Sequence, residues 1–71
     1  FRCWSYDAAL FVQGVAEGEE LRCFATDGRL VWVERSRSSG GSIQTLDVAQ
    51  LSPGVYTLVL SSGAHGSFLV P

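Results

Sequence analysis

The stretch LSPGVYTLVLSSG, residues 51–63, decides the fold class. A Pro-Gly turn leads into residues 55–60, which are apolar or β-favouring without a break, and a Ser-Ser-Gly turn follows. A strand with one face in water would alternate apolar and polar residues, and this strand does not. We expect the larger of its two alternating sets to face the core: Tyr56, Leu58 and Leu60. The other face then needs a contact of its own.

Turn signals recur along the rest of the chain about every ten residues, and β-branched and aromatic residues fill the segments between them. No window keeps an apolar 3.6-residue period for the length of a helix. The pattern predicts seven short strands, near residues 2–5, 9–14, 19–25, 29–35, 43–48, 55–61 and 66–70. Short strands at this spacing are typical of an all-β fold, an immunoglobulin-like antiparallel β-sandwich.

The composition indicates one packed domain over residues 1–71, with 46% hydrophobic and 17% charged residues. A net charge of −2 argues against a nucleic-acid partner, which would need a basic face. There is no apolar run near the ~20 residues of a transmembrane helix. The chain begins abruptly at Phe1, so we expect it to be excised from a larger protein. The polar stretch 36–42 is expected to be a solvated hairpin tip.

The segment LRCFATDGRLVWVE, residues 21–34, predicts a β-hairpin around Asp27-Gly28, with Gly28 at a positive φ. In that hairpin Leu30 is expected to share the face of Cys23, and Val31 to lie on the opposite face.

The two cysteines, Cys3 and Cys23, would form a disulfide in an oxidising compartment. The alternative is a pair of buried thiols that act as small apolar side chains. A metal site is not expected, because His65 is the only further ligand of the type that zinc uses with cysteine.

No catalytic constellation is recognisable. His65 is the single histidine and lies in a Gly-rich turn, and Glu19 and Glu20 point to opposite sides of a strand. No glycine-rich loop leads into a helix, as a phosphate site would require. We therefore predict a chain that is not an enzyme and binds no cofactor.

Three stretches in order, CFATDGRLVWVE, IQTLDVAQLSPGVYTLVLSSG and a short last strand, are similar to a known family. They resemble the C-terminal sorting domain of type IX secretion cargo in Bacteroidetes (Por secretion, type A). The two ends differ, because the prolines of the family's first segment and its terminal lysines have no counterpart here. The matching positions are Asp27, Gly28, Arg29, Leu30, Val31, Leu46, Asp47, Leu51, Gly54, Val55 and Tyr56.

The resemblance implies a sandwich at the C-terminus of a longer protein that serves as a secretion and sorting signal. Its partners would be the secretion translocon, a sortase-like peptidase and an N-terminal passenger domain. The implied location is the periplasm in transit, then the outer membrane, the cell surface or the medium.

The last strand is the expected recognition edge, because a terminal strand leaves backbone groups unpaired. Its candidate contact residues are Phe68, Leu69 and Val70, which would otherwise be core residues of the closing strand. The alternative function is an immunoglobulin-like spacer, adhesion or carbohydrate-binding module of a cell-surface protein. A carbohydrate-binding module would present an exposed aromatic ring, from Trp4 or Trp32.

Overall fold

A computed structural model describes residues 1–37 and 42–71, which form seven strands and no helix. Residues 38–41, within the stretch expected to be a hairpin tip, lie outside the described residues. The strands are β1 (Arg2–Tyr6), β2 (Ala9–Gln13), β3 (Glu20–Ala25), β4 (Leu30–Arg35), β5 (Ile43–Asp47), β6 (Gly54–Leu60) and β7 (His65–Val70). The seven predicted strands are confirmed, with ends that differ by one residue or less.

The strands form two antiparallel sheets, and the predicted all-β sandwich is confirmed. The smaller sheet has the order β1-β2-β5, and the larger sheet has the order β4-β3-β6-β7. The fourth strand stays beside the third in the larger sheet, whereas in constant-type immunoglobulin domains it joins the first sheet. β6 lies between β3 and β7, so it is a central strand.

The core lies between the sheets, and β6 contributes the set that its sequence predicts: Tyr56, Leu58 and Leu60, all buried. From the smaller sheet, β2 contributes Leu10 and Val12 to the same cluster. On the outer face of β6, Val55 is 47% exposed. One face of β6 therefore packs in the core, and its other face forms part of an apolar outer surface.

The β3–β4 hairpin turns where the sequence predicts. Gly28 has a φ of 86°, and its N–H donates to the carbonyl of Ala25 at 3.0 Å. The hairpin closes with a bond from the Ala25 N–H to the carbonyl of Arg29, 2.9 Å away.

A β-bulge in this hairpin changes which side chains face the core. Cys23 pairs with Trp32 but Phe24 pairs with Leu30, so Val31 is an extra residue in β4. The expectation for Leu30 and Val31 was wrong: Leu30 is 49% exposed, and Val31 packs against the core. Strict alternation assumes an uninterrupted ladder, and the bulge interrupts it.

The turn between β1 and β2 is strained. Its two residues, Asp7 and Ala8, have φ values of 52° and 63°, the left-handed region in which side chains other than glycine are disfavoured. Two consecutive residues at positive φ form the type of two-residue turn whose twist matches that of the two strands it connects.

Candidate recognition surface

The described residues contain no cluster of side chains that could hold a metal ion. No group of three or more histidine, cysteine, aspartate or glutamate side chains lies together within residues 1–37 and 42–71. His65 is exposed at the start of β7. Within the same described ranges, no helix is long and apolar enough to span a membrane.

The three predicted contact residues of the last strand do not share one environment. Phe68 and Val70 are buried, and the ring of Phe68 stacks on Tyr56 with centroids 5.7 Å apart. Leu69 is 57% exposed and lies directly opposite Val55 on the outer face of the larger sheet. Of the three, only Leu69 offers most of its side chain to a partner, because alternation in β7 turns the other two inward.

β7 is an edge strand, as expected of a recognition edge, but β1 lies against it. Cys3 Sγ forms a weak hydrogen bond to the carbonyl of Ser67, at 3.9 Å, and the hydroxyl of Ser5 donates to the carbonyl of Leu69. These two side chains occupy carbonyl groups that a partner strand would otherwise use. Strand addition at this part of β7 is therefore obstructed.

The first matching motif, residues 27–31, builds the β3–β4 turn. A carboxylate oxygen of Asp27 accepts a hydrogen bond from the Arg29 N–H at 2.9 Å, beside the positive φ of Gly28. The second motif, residues 46–56, begins with the same kind of hydrogen bond, because a carboxylate oxygen of Asp47 accepts from the Ala49 N–H at 2.9 Å. Aspartate suits both places because its short side chain bonds to the backbone two residues on.

The rest of the second motif builds the entry into β6. The hydroxyl of Tyr56 donates to the carbonyl of Ser52 at 2.6 Å, the geometry of a tyrosine corner in immunoglobulin-like sandwiches. The Leu51 N–H donates to the Val48 carbonyl at 3.0 Å, and Leu51 packs against the core. Leu46 also packs there, and Gly54 begins β6. Most of the matching positions therefore have roles in the fold, whereas Leu30 and Val55 are about half exposed.

Both cysteines are free thiols in the structure, Cys23 buried and Cys3 half-buried. Cys23 is buried in β3 and lies directly opposite Leu58 of β6, which in turn lies opposite Gly66 of β7. Cys3 lies over that last residue, because its Sγ is 3.2 Å from where a Gly66 Cβ would be.

Burial governs the chemistry of these thiols. Desolvation raises the pKa of Cys23 to about 11, and the charge of nearby Cys3 adds to the shift. Desolvation also raises the pKa of Cys3 above its ordinary value. Both groups are poor nucleophiles in this setting, because the thiolate is the reactive form.

An aromatic cluster covers the outer face of the smaller sheet. Trp4 lies directly opposite Phe11, and the two rings stack at 5.7 Å between centroids with planes 20° apart. The guanidinium carbon of Arg2 is 4.6 Å from the centroid of the Trp4 ring, and Tyr6 on the same face is 74% exposed. In contrast, Trp32 packs against the core. The alternation of Arg2, Trp4 and Tyr6 along β1 is the sequence signal that predicts this shared face.

An apolar cleft of about 280 Å³ lies where the β1–β2 turn meets the end of β7. The strained residues Asp7 and Ala8 form one wall, and Leu69 and Val70 form another. Its volume lies just below the usual range of small-molecule pockets. Nothing in the sequence pattern pointed to this cleft, because its walls come from distant parts of the chain.

No family model, curated protein or solved structure matches this chain.

Proposed function

We propose that this chain is a C-terminal sorting domain, recognised by type IX secretion machinery as a folded signal that accompanies a passenger protein across the outer membrane. The observation that carries the proposal is the ordered pair of motifs, residues 27–31 and 46–56, in one seven-stranded sandwich. A sorting signal performs no reaction, so it needs a stable fold and a surface that a partner protein contacts.

The surface that suits this role is the end of the sandwich around Leu69. Leu69 and Val55 form an exposed cross-strand pair, and Leu69 also lines the cleft beside the β1–β2 turn. Apolar side chains that are exposed next to a cleft supply the buried centre of protein interfaces. Phe68 and Val70 contribute indirectly, because their burial holds the strand that presents Leu69.

The proposal is tested by fusing the 71-residue chain to a reporter protein in a bacterium with type IX secretion. We expect the reporter to reach the cell surface or the medium. Leu69→Asp should leave it in the periplasm, because a charge at the centre of an apolar interface is costly to desolvate.

Val33→Asp is the matched control, since Val33 is similarly exposed but lies on β4 at the far edge of the larger sheet and outside both motifs. Circular dichroism of both purified variants checks that they fold. Periplasmic retention of the unmodified fusion, or equal export of the Leu69→Asp fusion, would contradict the proposal.

A second candidate function is that of a carbohydrate-binding module of a cell-surface protein, and the Trp4–Phe11 stack with Tyr6 favours it. Aromatic rings on a sheet face offer apolar surface to the C–H faces of sugar rings, and Arg2 adds hydrogen-bond donors.

Titration with soluble xylan, mannan and β-glucan, followed by tryptophan fluorescence, tests this function. Tyr6→Ala should weaken any binding without unfolding the chain, because most of its ring is in solvent. Trp32→Phe, on the core side, is the control. An absence of binding to all three polysaccharides by the unmodified chain would reject this second candidate.

A further inference from the structure

The sandwich is closed along one side and open along the other. β1 lies against β7, so the two sheets meet at that side. The smaller sheet has three strands and the larger has four. With β1 placed against β7, β4 extends beyond the last strand of the smaller sheet, β5.

Side-chain burial follows the same division. Leu21 and Leu58, on the central strands of the larger sheet, are completely buried. On the open side, Trp32 of β4 packs against the core but stays partly exposed, and so does Leu46 of β5. One further strand beside β5 would lie opposite β4 and cover both residues.

The four sheet edges differ in how they are protected against strand addition. β1 and β7 lie against each other, and the side chains of Cys3 and Ser5 in β1 donate hydrogen bonds to backbone carbonyls of β7. The edge of β4 carries the bulge at Val31 and two adjacent charged residues, Glu34 and Arg35. Bulges and charges are the devices with which proteins block an edge.

β5 has neither device along most of its length. Its pairing with β2 runs without a register shift, and Asp47, its last residue, is its single charge. Ile43 and Thr45, both exposed, are β-branched residues that favour an extended backbone.

The backbone of β5 has hydrogen-bonding groups directed away from β2. The Val48 N–H donates to the carbonyl of Ala8, so Val48 and every second residue before it face β2. The N–H and C=O groups of Ile43, Thr45 and Asp47 therefore point to the open side, where no described strand pairs with them.

We propose that the outer edge of β5, residues 43–47, binds an extended segment of a partner polypeptide as an added strand. Apolar residues at alternate positions of that segment would cover Trp32, and the others would extend the outer row of Trp4, Phe11 and Thr45. Arg37 lies beside β5, because its N–H donates to Gln44 Oε1 at 3.0 Å, and Asp47 ends the strand. The fitting segment therefore carries an acidic residue at one end and a basic residue at the other. This inference does not rest on the proposed sorting function, because it concerns the edge of β5 and not the surface around Leu69.

The probe is a phage library of short peptides with alternating apolar and polar positions, selected against the whole chain. Selected peptides should slow the amide hydrogen exchange of Ile43 and Thr45 by about tenfold or more at saturation, since both amides gain a partner. Thr45→Pro removes one outward N–H and keeps the pairing with β2, so it should weaken peptide binding about tenfold.

Val33→Pro is the matched control on the β4 edge. The Ser36 N–H donates to the carbonyl of Glu19, so the N–H of Val33 points outward as that of Thr45 does. Val33→Pro should bind the peptides as tightly as the unmodified chain.

Equal peptide binding by Thr45→Pro would overturn the inference. Amides of Ile43 and Thr45 that exchange as slowly as those of Gln44 and Leu46 in the free unmodified chain would also overturn it, and this measurement needs no variant. A concentration-dependent dimer that Thr45→Pro abolishes would assign the edge to a second copy of the chain instead of a partner.

Discussion

The hydroxyl of Tyr56 donates a hydrogen bond to the carbonyl oxygen of Ser52, 2.6 Å away, across the turn that leads into β6. The same ring stacks on Phe68 in the core. One side chain therefore joins the turn to the packing of the larger sheet. This contact explains why the Pro-Gly turn is followed by a tyrosine.

Tyr56→Phe keeps the stacked ring and removes the hydrogen bond. We expect it to lower the free energy of unfolding by about 1 kcal/mol, the net value of one such bond. In thermal unfolding this corresponds to a loss of about 4–8 °C for a domain of this size. Tyr6→Phe is the control and should change little, because Tyr6 is largely in solvent. Equal stability of the two variants would show that the Tyr56 bond contributes nothing.

Gly66→Ala should loosen the contact between β1 and β7. A Cβ at this position would lie 3.2 Å from Cys3 Sγ and 3.3 Å from a ring carbon of Phe1. Overpacking of this kind costs about 1–3 kcal/mol. Urea denaturation of a double-mutant cycle with Cys3→Ala measures the coupling: Gly66→Ala should cost less once the sulfur is absent. Purely additive effects would mean that the sulfur does not limit the space above Gly66.

Ala8→Gly should stabilise the chain, which is unusual for a substitution to glycine. Ala8 has a φ of 63°, where an alanine costs about 1–2 kcal/mol and a glycine does not. The extra freedom of glycine in the unfolded chain offsets part of this gain, about 0.5–1 kcal/mol. We expect a net rise of about 0.5 kcal/mol in the free energy of unfolding, the difference between these two costs. Ala9→Gly, in the adjacent strand, should lower it, and a destabilised Ala8→Gly variant would contradict the strain.

The stability of the chain should fall at alkaline pH because of Cys23. Its pKa is raised from an ordinary value of 9.0 to about 11 in the folded chain, mainly by burial. Below pH 9 the folded and unfolded states both keep the proton, so the contribution of Cys23 to stability is fully present. Between pH 9 and about 11 the unfolded chain loses a proton that the folded chain keeps, so the free energy of unfolding decreases.

Urea denaturation on both sides of that pH window tests this linkage. Cys23→Ala should be less stable than the unmodified chain at neutral pH, because it removes a buried side chain, but its stability should fall less as the pH rises. An equal alkaline loss in both chains would show that other groups account for it.

Much of the fold was predictable from local sequence patterns. The turn at Gly28, the seven strands and the core face of β6 each follow from alternation and turn residues within a short segment. The facing of Leu30 and Val31 was not predictable, because the bulge arises from how β4 pairs with β3 and changes alternation midway along a strand. The candidate surface was predicted only in part: β7 is at an edge, but its exposure depends on β1.

The sequence by itself determined which segments are strands, where they turn and which side chains are apolar enough to form a core. These properties depend on residues close together in the chain. The tertiary structure alone decided that β1 shields β7 while β5 stays open, and that Leu69 and the strained turn at Asp7 line one cleft. Such relationships join residues more than sixty positions apart, so they exist only once both sheets have paired and packed.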